Sequence, residues 1–246
     1  MSNSILDAFG QKTYDESKPM ARTFIANVFA YMFAGLAISG VIAFAMSRNP
    51  IMVLELFYTL KSNGTLGISP VGYIMIFAPL IISLVMQLAY HKLPFAVILG
   101  LFLIYAVLIG MSLSTIFLAY TASSIYMVFF LSAGIFGVMA LAGYFTSIDL
   151  SRFGTIMMFM AMGIVAASLM NVFMQSEKMD WMISLIGVIV FPALVAVKLQ
   201  EIKYMSQNTE YGSEPASKLA VIMGLQLYIL FINIFIMLLR LMGDRR

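Results

Sequence analysis

Long apolar stretches alternate with short polar segments along this chain. Seven of the stretches reach the roughly 20 residues that a helix rising about 1.5 Å per residue needs to cross a bilayer core about 30 Å thick. They are, approximately, Thr23–Ser47, Val71–Tyr90, Phe95–Thr115, Ser124–Phe145, Phe153–Phe173, Trp181–Val197 and Leu219–Leu241.

The pattern therefore predicts an all-α, polytopic membrane protein, a bundle of seven transmembrane helices. Six helices with a re-entrant C-terminal segment are the alternative.

The segments between the apolar stretches are too short to form a separate soluble domain. The polar residues Met1–Arg22 are expected to form a cytoplasmic tail, and residues 23–246 to form one membrane domain. Pro50–Phe57 has the composition of a helix lying at the membrane interface, and the Ser-Asn-Gly sequence at 62–64 is typical of a turn. The polar stretch Leu199–Lys218 is expected to be a flexible loop.

The composition identifies lipid as the main solvent of this chain. Its 246 residues are 62% hydrophobic and 10% charged, with a mean hydropathy of +1.00, whereas a globular protein is roughly half apolar and about a quarter charged. The formal net charge of +3 is too small for a nucleic-acid-binding protein. With no cysteine and one histidine, thiolate metal sites and sites with several histidine ligands are excluded. We expect no cofactor, and no constellation of acid, base and nucleophile indicates an enzyme.

The lysines and arginines are unevenly distributed over the two sides of the predicted bundle. With the N-terminus inside the cell, eight fall on the cytoplasmic side and three on the outer side, as the positive-inside rule requires. Seven spans place Arg240, Arg245 and Arg246 outside as well, which reduces the contrast to eight against six. Either tight packing holds the last helix across the membrane despite these charges, or the helix re-enters and returns its end to the cytoplasm.

All eleven carboxylates fall in the tail, in loops or at the ends of the predicted spans. Proton-coupled transporters, cation channels and intramembrane aspartyl proteases usually depend on carboxylates buried in the membrane, so this distribution argues against those classes. The single histidine, His91, lies beside Lys92 in a turn between two spans. One interpretation of this position is a solvated loop histidine without a special role. The alternative is that His91, alone or together with Lys92, senses pH.

The last apolar stretch carries a polar stripe. Gln226, Asn233 and Arg240 recur every seven residues, and seven steps of about 100° fall only about 20° short of two helical turns. Leu230 lies on the same face, because it is four residues after Gln226 and three before Asn233. Amide side chains are costly against lipid, so we expect this face to point into the bundle. It would either form hydrogen bonds between helices or line a transport pathway.

Lys198 stands near the end of the sixth apolar stretch, six residues after Pro192. A proline inside a helix removes a backbone donor and favours a kink. One interpretation of Lys198 is a side chain that extends to the cytoplasmic interface and pairs with Glu201, three residues further along the same helix. The other is a fixed positive charge facing the centre of the bundle.

Pairs of small residues spaced four apart allow helix backbones to approach closely. The chain contains several such pairs, among them Gly35/Ser39, Gly110/Ser114, Ala133/Gly137 and Gly163/Ala167. They predict close helix packing, which is common in multi-span proteins and does not indicate a particular function.

Three segments of the chain form motifs. Residues 146–154 fit the pattern T-x-x-D-L-S-x-x-G in the turn between the fourth and fifth spans. Residues 183–191 form a Gly-containing sixth-span segment, and residues 225–235 are close to the pattern L-x-L-Y-L-D-F-I-N-L-F. All three, in this order, resemble motifs of the Bax inhibitor-1 family in its bacterial branch. The span number and loop sizes agree with that family along nearly the whole chain.

The resemblance implies a fold in which the other six helices surround the last one. In the family, one aspartate on each of the last two spans forms a hydrogen-bonded pair that senses pH and gates a calcium leak. The corresponding residues here are Lys198 and Leu230, so both members of the pair are substituted. We call these two residues the sensor positions. A basic residue that relatives have at the end of the second span would correspond to His91 or Lys92.

The resemblance also implies a function and an alternative to it. We expect a regulatory or scaffolding protein of the bacterial inner membrane, with a cytoplasmic N-terminus. Its partners would be the lipid bilayer and a membrane protein such as a membrane-bound AAA protease. A dication would be repelled by Lys198 where relatives attract it, so we expect calcium leak to be weak or absent. The alternative is a pH- or calcium-related ion leak channel or a small-solute transporter.

Overall fold

A computed structural model describes residues 17–60, 66–208 and 213–245. Over these residues the chain is almost entirely helical, and the elements in chain order are α1 Ser17–Ser47, α2 Pro50–Phe57, β1 Tyr58–Leu60, β2 Leu66–Ile68, α3 Pro70–Ala89, α4 Phe95–Leu113, α5 Ile116–Ala119, α6 Ala122–Phe145, α7 Ser151–Met174, α8 Glu177–Asn208 and α9 Glu214–Met242. Seven of the helices are long and apolar enough to cross a membrane. The predicted all-α, seven-span bundle is confirmed. Most of the predicted tail lies outside the described residues.

Side-chain caps explain where several of the helices begin. The Ser69 hydroxyl accepts a hydrogen bond from the backbone N–H of Gly72 at 2.9 Å, and Pro70 follows it as the first residue of α3. Ser213 caps α9 in the same way through the N–H of Ala216. Such caps satisfy donors that the helix itself leaves free, and proline is well suited to the first turn because it has no N–H to satisfy.

The sixth span is much longer than predicted. The apolar pattern predicts a span at Trp181–Val197 and a flexible loop at Leu199–Lys218, but α8 runs from Glu177 to Asn208 and α9 already begins at Glu214. The loop prediction is wrong for residues 199–208, because the polar end of α8 is amphipathic: Leu199, Gln200, Ile202 and Ser206 are buried, while Tyr204 and Gln207 are exposed. The helix is also continuous through Pro192.

A short hairpin follows the predicted interfacial helix. The helix Pro50–Phe57 is present with the predicted limits, while the antiparallel strands β1 and β2, with Tyr58 opposite Ile68, were not predicted. The turn predicted at 62–64 lies outside the described residues. Gly72 is needed where α3 passes this element, because a β carbon there would lie 2.7 Å from the Phe57 carbonyl oxygen.

The last helix, α9, lies at the centre of the bundle. It packs against α8, α1, α6 and α4 and touches α3, and 78% of its most apolar window is buried, against 6% for α7. Aromatic side chains fill the space around it: Phe231 contacts Phe129 and Phe136, with ring centroids 5.5 and 5.8 Å apart. The fold thus departs in one respect from the expected ring of six helices, because α7 packs mainly against α8.

The last helix spans the whole bundle. Near its start, Glu214 accepts a hydrogen bond from the N–H of Phe95, and just beyond its end the Asp244 carbonyl accepts one from the N–H of Thr121. Phe95 begins α4, whereas Thr121 lies after it, so these contacts are at opposite ends of the molecule. We call them the Glu214 end and the Asp244 end. The re-entrant alternative is therefore wrong.

Glycine allows close contact at some of the helix crossings. A β carbon at Gly110 would lie 2.8 Å from the Ser39 carbonyl oxygen, so α1 and α4 use two of the predicted small residues. Gly143 of α6 lies directly against the backbone of Ala196 in α8. At Gly137 and Gly163 a β carbon would meet nothing within 4 Å, so neither glycine lies at a close crossing with another described segment.

Candidate functional site

The two sensor positions hold no carboxylate. The Lys198 ammonium lies 2.6 Å from Oε2 of Glu201 on the next turn of α8, and its side chain is 18% exposed. The pairing considered from the sequence is therefore present. Leu230 is 7% exposed and belongs to the hydrophobic core. An ion pair has no net charge, so Lys198 repels a cation less than an isolated ammonium would, but neither position supplies the oxygen ligands that calcium requires.

Lys198 lines a cavity between α7 and α8 near the Glu214 end. The cavity has a volume of about 580 Å³, and its walls come from residues 149–162 and 194–205. Polar groups in these walls include Asp149, Gln200 and Glu201, and the rest is mostly apolar. No residue of α9 lines it, so this cavity does not connect Lys198 to the polar stripe.

The three residues of the polar stripe have different partners. Gln226 donates from Nε2 to Oε1 of Gln87 in α3 at 3.2 Å, while its own Oε1 is buried with no hydrogen-bond partner among the described residues. Asn233 donates to the carbonyl of Ile229 in its own helix at 2.8 Å. Arg240 donates from Nη1 to Oδ1 of Asp180 in α8 at 2.6 Å. Two of the three therefore join helices, and one is satisfied within α9.

A cavity of about 540 Å³ lies between α3, α4, α7 and α9, towards the Asp244 end. Asn233 and Arg240 are on its α9 wall, and Gln226 and Lys198 are not among its lining residues. Hydroxyl groups of Ser112, Thr115 and Ser168 add polarity, and the remaining walls are mostly apolar. The structure thus brings two of the predicted stripe residues to one cavity and leaves the sensor positions apart from it.

The proposed basic site at the end of the second span is on the surface. His91 and Lys92 are exposed in the turn between α3 and α4, and the ring of His91 contacts the ring of Tyr90 at a tilt of 36°, with centroids 3.7 Å apart. Neither residue lines the cavity that contains Lys198 or the cavity that contains Asn233. The placement is that of a solvated loop.

Ion pairs at the Asp244 end account for two of the three arginines that conflicted with the positive-inside rule; the third, Arg246, lies outside the described residues. Arg240 pairs with Asp180, and Arg245 lies 3.6 Å from Glu177 and 3.9 Å from Asp180. Asp244 accepts a hydrogen bond from the hydroxyl of Ser124 at 3.3 Å, which ties the end of α9 to α6. Of the two resolutions considered from the sequence, the structure has the first, because a full-length last helix is fixed at this end by partners from α6 and α8.

The T-x-x-D-L-S-x-x-G motif has a structural role. The side chain of Gln200 in α8 accepts from the N–H of Leu150 at 2.8 Å and donates to the carbonyl of Ile148 at 2.7 Å, which clamps the loop between α6 and α7. Gly154 at the end of the motif lies against Val197, where a β carbon would be 2.6 Å from a methyl group. The sequence does not predict this clamp, because Gln200 is 50 residues away from Leu150.

Asp149 in the same motif lies one residue before Leu150, the N-cap position of α7, and its side chain caps the first N–H of the helix. Its carboxylate accepts from the N–H of Ser151 at 2.9 Å. That backbone hydrogen bond, with a further one from the Ser151 side chain and the nearby charge of Arg152, lowers the pKa of Asp149 below its usual value. The motif residues thus fix the helix junction. Among the described residues, no cluster of three or more His, Cys, Asp or Glu side chains could hold a metal ion.

Seven apolar helices, with the last one buried at the centre of the bundle, define a polytopic membrane protein without a buried carboxylate pair at the sensor positions. The family described as "Inhibitor of apoptosis-promoting Bax1" matches residues 21–246. The chain therefore belongs to the Bax inhibitor-1 family.

Relatives of nearly the same length support this assignment. The inner membrane protein YbhL of Escherichia coli K12 is 38% identical over 226 residues, which cover 92% of this chain and 93% of YbhL. An uncharacterized protein of Borreliella burgdorferi is 37% identical over 91% of this chain and 92% of its own. The uncharacterized protein RP147 of Rickettsia prowazekii is 36% identical over 96% of this chain and 94% of its own.

Proposed function

We propose that this protein is a regulatory or scaffolding component of the bacterial inner membrane that acts through contacts with another membrane protein, for example a membrane-bound AAA protease. Its calcium leak is weak or absent, and its N-terminus is cytoplasmic. The observation that carries the proposal is the state of the sensor positions, where Lys198 pairs with Glu201 and Leu230 is buried. The printed name of YbhL, an inner membrane protein, supports the location.

The sensor positions lack what a calcium gate needs. Calcium is bound by six to eight oxygen ligands, commonly from carboxylates, and a pH gate needs a group whose charge changes with pH. Leu230 supplies neither. The ammonium of Lys198 can donate hydrogen bonds, but it has no lone pair with which to bind a cation. A regulator that works through its surface needs a stable helical bundle and does not need a buried pair of acids, so the substitutions leave that role intact.

Calcium flux in liposomes tests the first half of the proposal. The purified chain is reconstituted beside a family member that retains both aspartates, and entry of calcium is followed at neutral and acidic pH. We expect the chain to stay near the rate of empty liposomes. The double variant Lys198→Asp/Leu230→Asp should gain a pH-dependent leak, and the isosteric control Lys198→Asn/Leu230→Asn should not. A leak from the unmodified chain as large as that of the relative would overturn the proposal.

Co-purification from native membranes tests the second half. The polar tail at 1–22 and the segment 199–218 at the Glu214 end are the candidate contact elements, although most of the tail lies outside the described residues. We expect a membrane-bound AAA protease or another membrane protein to be recovered in mild detergent, and expect recovery to fall when residues 1–16 are deleted. Reproducible recovery of the chain alone would argue against a partner.

One observation favours the alternative of an ion leak channel or small-solute transporter. The cavity of about 540 Å³ places Asn233 and Arg240 beside space that a small solute could enter. In that case potassium, sodium or a small neutral solute should pass through liposomes containing the chain, and Asn233→Leu should reduce the flux. Equal flux from both forms, at the rate of empty liposomes, would eliminate the alternative.

A further inference from the structure

The cavity between α3, α4, α7 and α9 has access to the lipid phase. Its α3 and α7 walls meet where the rings of Tyr73 and Phe173 stack, with centroids 6.2 Å apart. Val165 lies in the α7 wall and is 38% exposed, and α7 packs mainly against α8 on its other side. The gap between α3 and α7 therefore opens to the surrounding membrane.

Arg240 gives this apolar cavity one charged wall. It is the only charged side chain among the described residues that line the cavity. Its Nη1 bonds Asp180, and a guanidinium carries five N–H donors, so donors remain for a further acceptor. Arg240 also lines a second cavity of about 510 Å³, together with Lys178, Arg245 and Glu177. Its side chain thus separates an apolar space from a charged one.

We propose that these two cavities form a binding site for an amphiphile with an apolar chain and an anionic head. The chain lies in the larger cavity between α3 and α7, and the head binds Arg240 at the Asp244 end. A volume of about 540 Å³ is within the range of small-molecule sites, which are mostly apolar with a few placed polar groups. A phospholipid and a free fatty acid share this chemistry, and either can enter sideways from the membrane.

The charges at the mouth favour an anionic head over a neutral one. Three cationic side chains, Lys178, Arg240 and Arg245, face two carboxylates, Glu177 and Asp180, around the smaller cavity. One positive charge is therefore left unbalanced there. A guanidinium also matches phosphate or carboxylate with two parallel hydrogen bonds. The site lies apart from the sensor positions, so the proposal does not depend on whether the protein conducts calcium.

Native mass spectrometry of the delipidated chain tests the site. Three probes of similar chain length are titrated separately: palmitoyl-oleoyl phosphatidylglycerol, oleic acid and the uncharged monoolein. We expect one tightly bound copy of an anionic probe per chain, and at least about tenfold weaker binding of monoolein, because a charge-assisted hydrogen bond is lost. Preference for phosphatidylglycerol or for oleic acid identifies the natural source. Equal binding of monoolein would overturn the assignment of the head to Arg240.

Matched variants separate this site from lipid that merely surrounds the protein. Ser168→Phe places a ring in the cavity, while Ala166→Phe places the same ring two residues away on the exposed face of α7. We expect the first to lose the bound copy and the second to keep it. Equal behaviour of the two variants would show that the lipid is bound elsewhere.

A second pair of variants separates head binding from the stability of the ion pair. Arg240→Gln and Asp180→Asn both remove the ion pair between α8 and α9, but only the first removes the ligand for the head. We expect Arg240→Gln to weaken binding of the anionic probe at least about tenfold, and Asp180→Asn to keep or strengthen it because the competing carboxylate is gone. Equal weakening in both variants would contradict the proposal.

Discussion

The helices α9 and α7 are almost equally apolar, yet they occupy opposite places in the molecule. Their most apolar windows have mean hydropathies of 2.4 and 2.1, and 78% of the first is buried against 6% of the second. Lipid tails are as apolar as a protein core, so hydropathy places both helices in the membrane but does not decide which one is central. That choice depends on where each helix carries polar and aromatic groups.

Each helix is held by a different kind of contact. On α9, Gln226 and Arg240 bond to neighbouring helices, and the aromatic side chains pack against α4 and α6. On α7 the exposed face carries methionine and phenylalanine side chains such as Met158 and Phe159, which lipid solvates well. This helix is fixed at its start, through Gly154 and the loop that Gln200 clamps.

Truncating one phenylalanine on each helix should give the largest difference in unfolding free energy between a variant of α9 and a variant of α7. Phe231 of α9 is 3% exposed and Phe159 of α7 is 67% exposed. Phe231→Ala leaves a cavity among Phe129, Phe136 and their neighbours, and should cost about 3–5 kcal/mol of unfolding free energy. Phe159→Ala shortens a mostly exposed side chain at the edge of the cavity between α7 and α8, so it should stay within about 0.5 kcal/mol of the parent protein. Reversible unfolding in mixed detergent micelles measures both.

The same experiment can contradict the comparison. If Phe159→Ala destabilises the protein as much as Phe231→Ala does, then α7 is buried in the membrane by a second protein chain or by a second copy. Repeating the measurement over a range of protein concentrations distinguishes that case, because only an oligomer gains stability with concentration.

Removing one arginine from each helix should have a smaller effect. Arg240 of α9 is half-buried and paired with Asp180, whereas Arg152 at the start of α7 is exposed. Arg240→Gln should cost about 1–3 kcal/mol because it leaves a partly buried carboxylate without its partner, and Arg152→Gln should cost less than about 0.5 kcal/mol. A double-mutant cycle with Asp180→Asn isolates the pair. A coupling energy indistinguishable from zero would show that Arg240 is held by packing alone.

Features with a fixed period or length were predictable from the sequence. The thickness of the bilayer sets the length of each span, so apolar stretches of that length could be counted in the sequence, and the structure has the same seven helices. The spacing of a helical turn placed Glu201 beside Lys198, and that contact is present. The stripe on α9 followed from the same periodicity, because its three positions lie on one face of a single helix.

Contacts between distant segments were not predictable in this way. Asp180 and Arg240 are 60 residues apart, and Gln87 and Gln226 are 139 apart, and no periodicity links positions on different helices. The small residues show the same limit. Gly110 lies at a close helix crossing and Gly163 faces open space, although both belong to pairs with the same spacing. Which of them mediates a contact depends on the arrangement of the helices.

The smallest predicted effect concerns the start of α7, where Asp149 accepts the N–H of Ser151. Hydrogen bonds and Arg152 lower the pKa of this aspartate in the folded protein below the 3.8 usual for the residue. The carboxylate therefore stabilises the folded state above about pH 4, and this contribution is lost as the pH falls through the lowered pKa. We expect the protection of amides in the first turn of α7 against hydrogen exchange, relative to their intrinsic chemical rate, to fall in that acidic range.

Two substitutions test whether the acid response comes from this cap. Asp149→Asn keeps an oxygen acceptor without a titratable group, so exchange in the first turn of α7 should be intermediate and independent of pH once the intrinsic chemical rate is divided out. Asp149→Ala removes the acceptor and should give fast exchange at every pH. The first turn of α9, capped by the uncharged Ser213, serves as the internal comparison. If both variants lose protection on acidification as the parent protein does, the response belongs to another group, and the cap does not explain how a peripheral helix is fixed at its start.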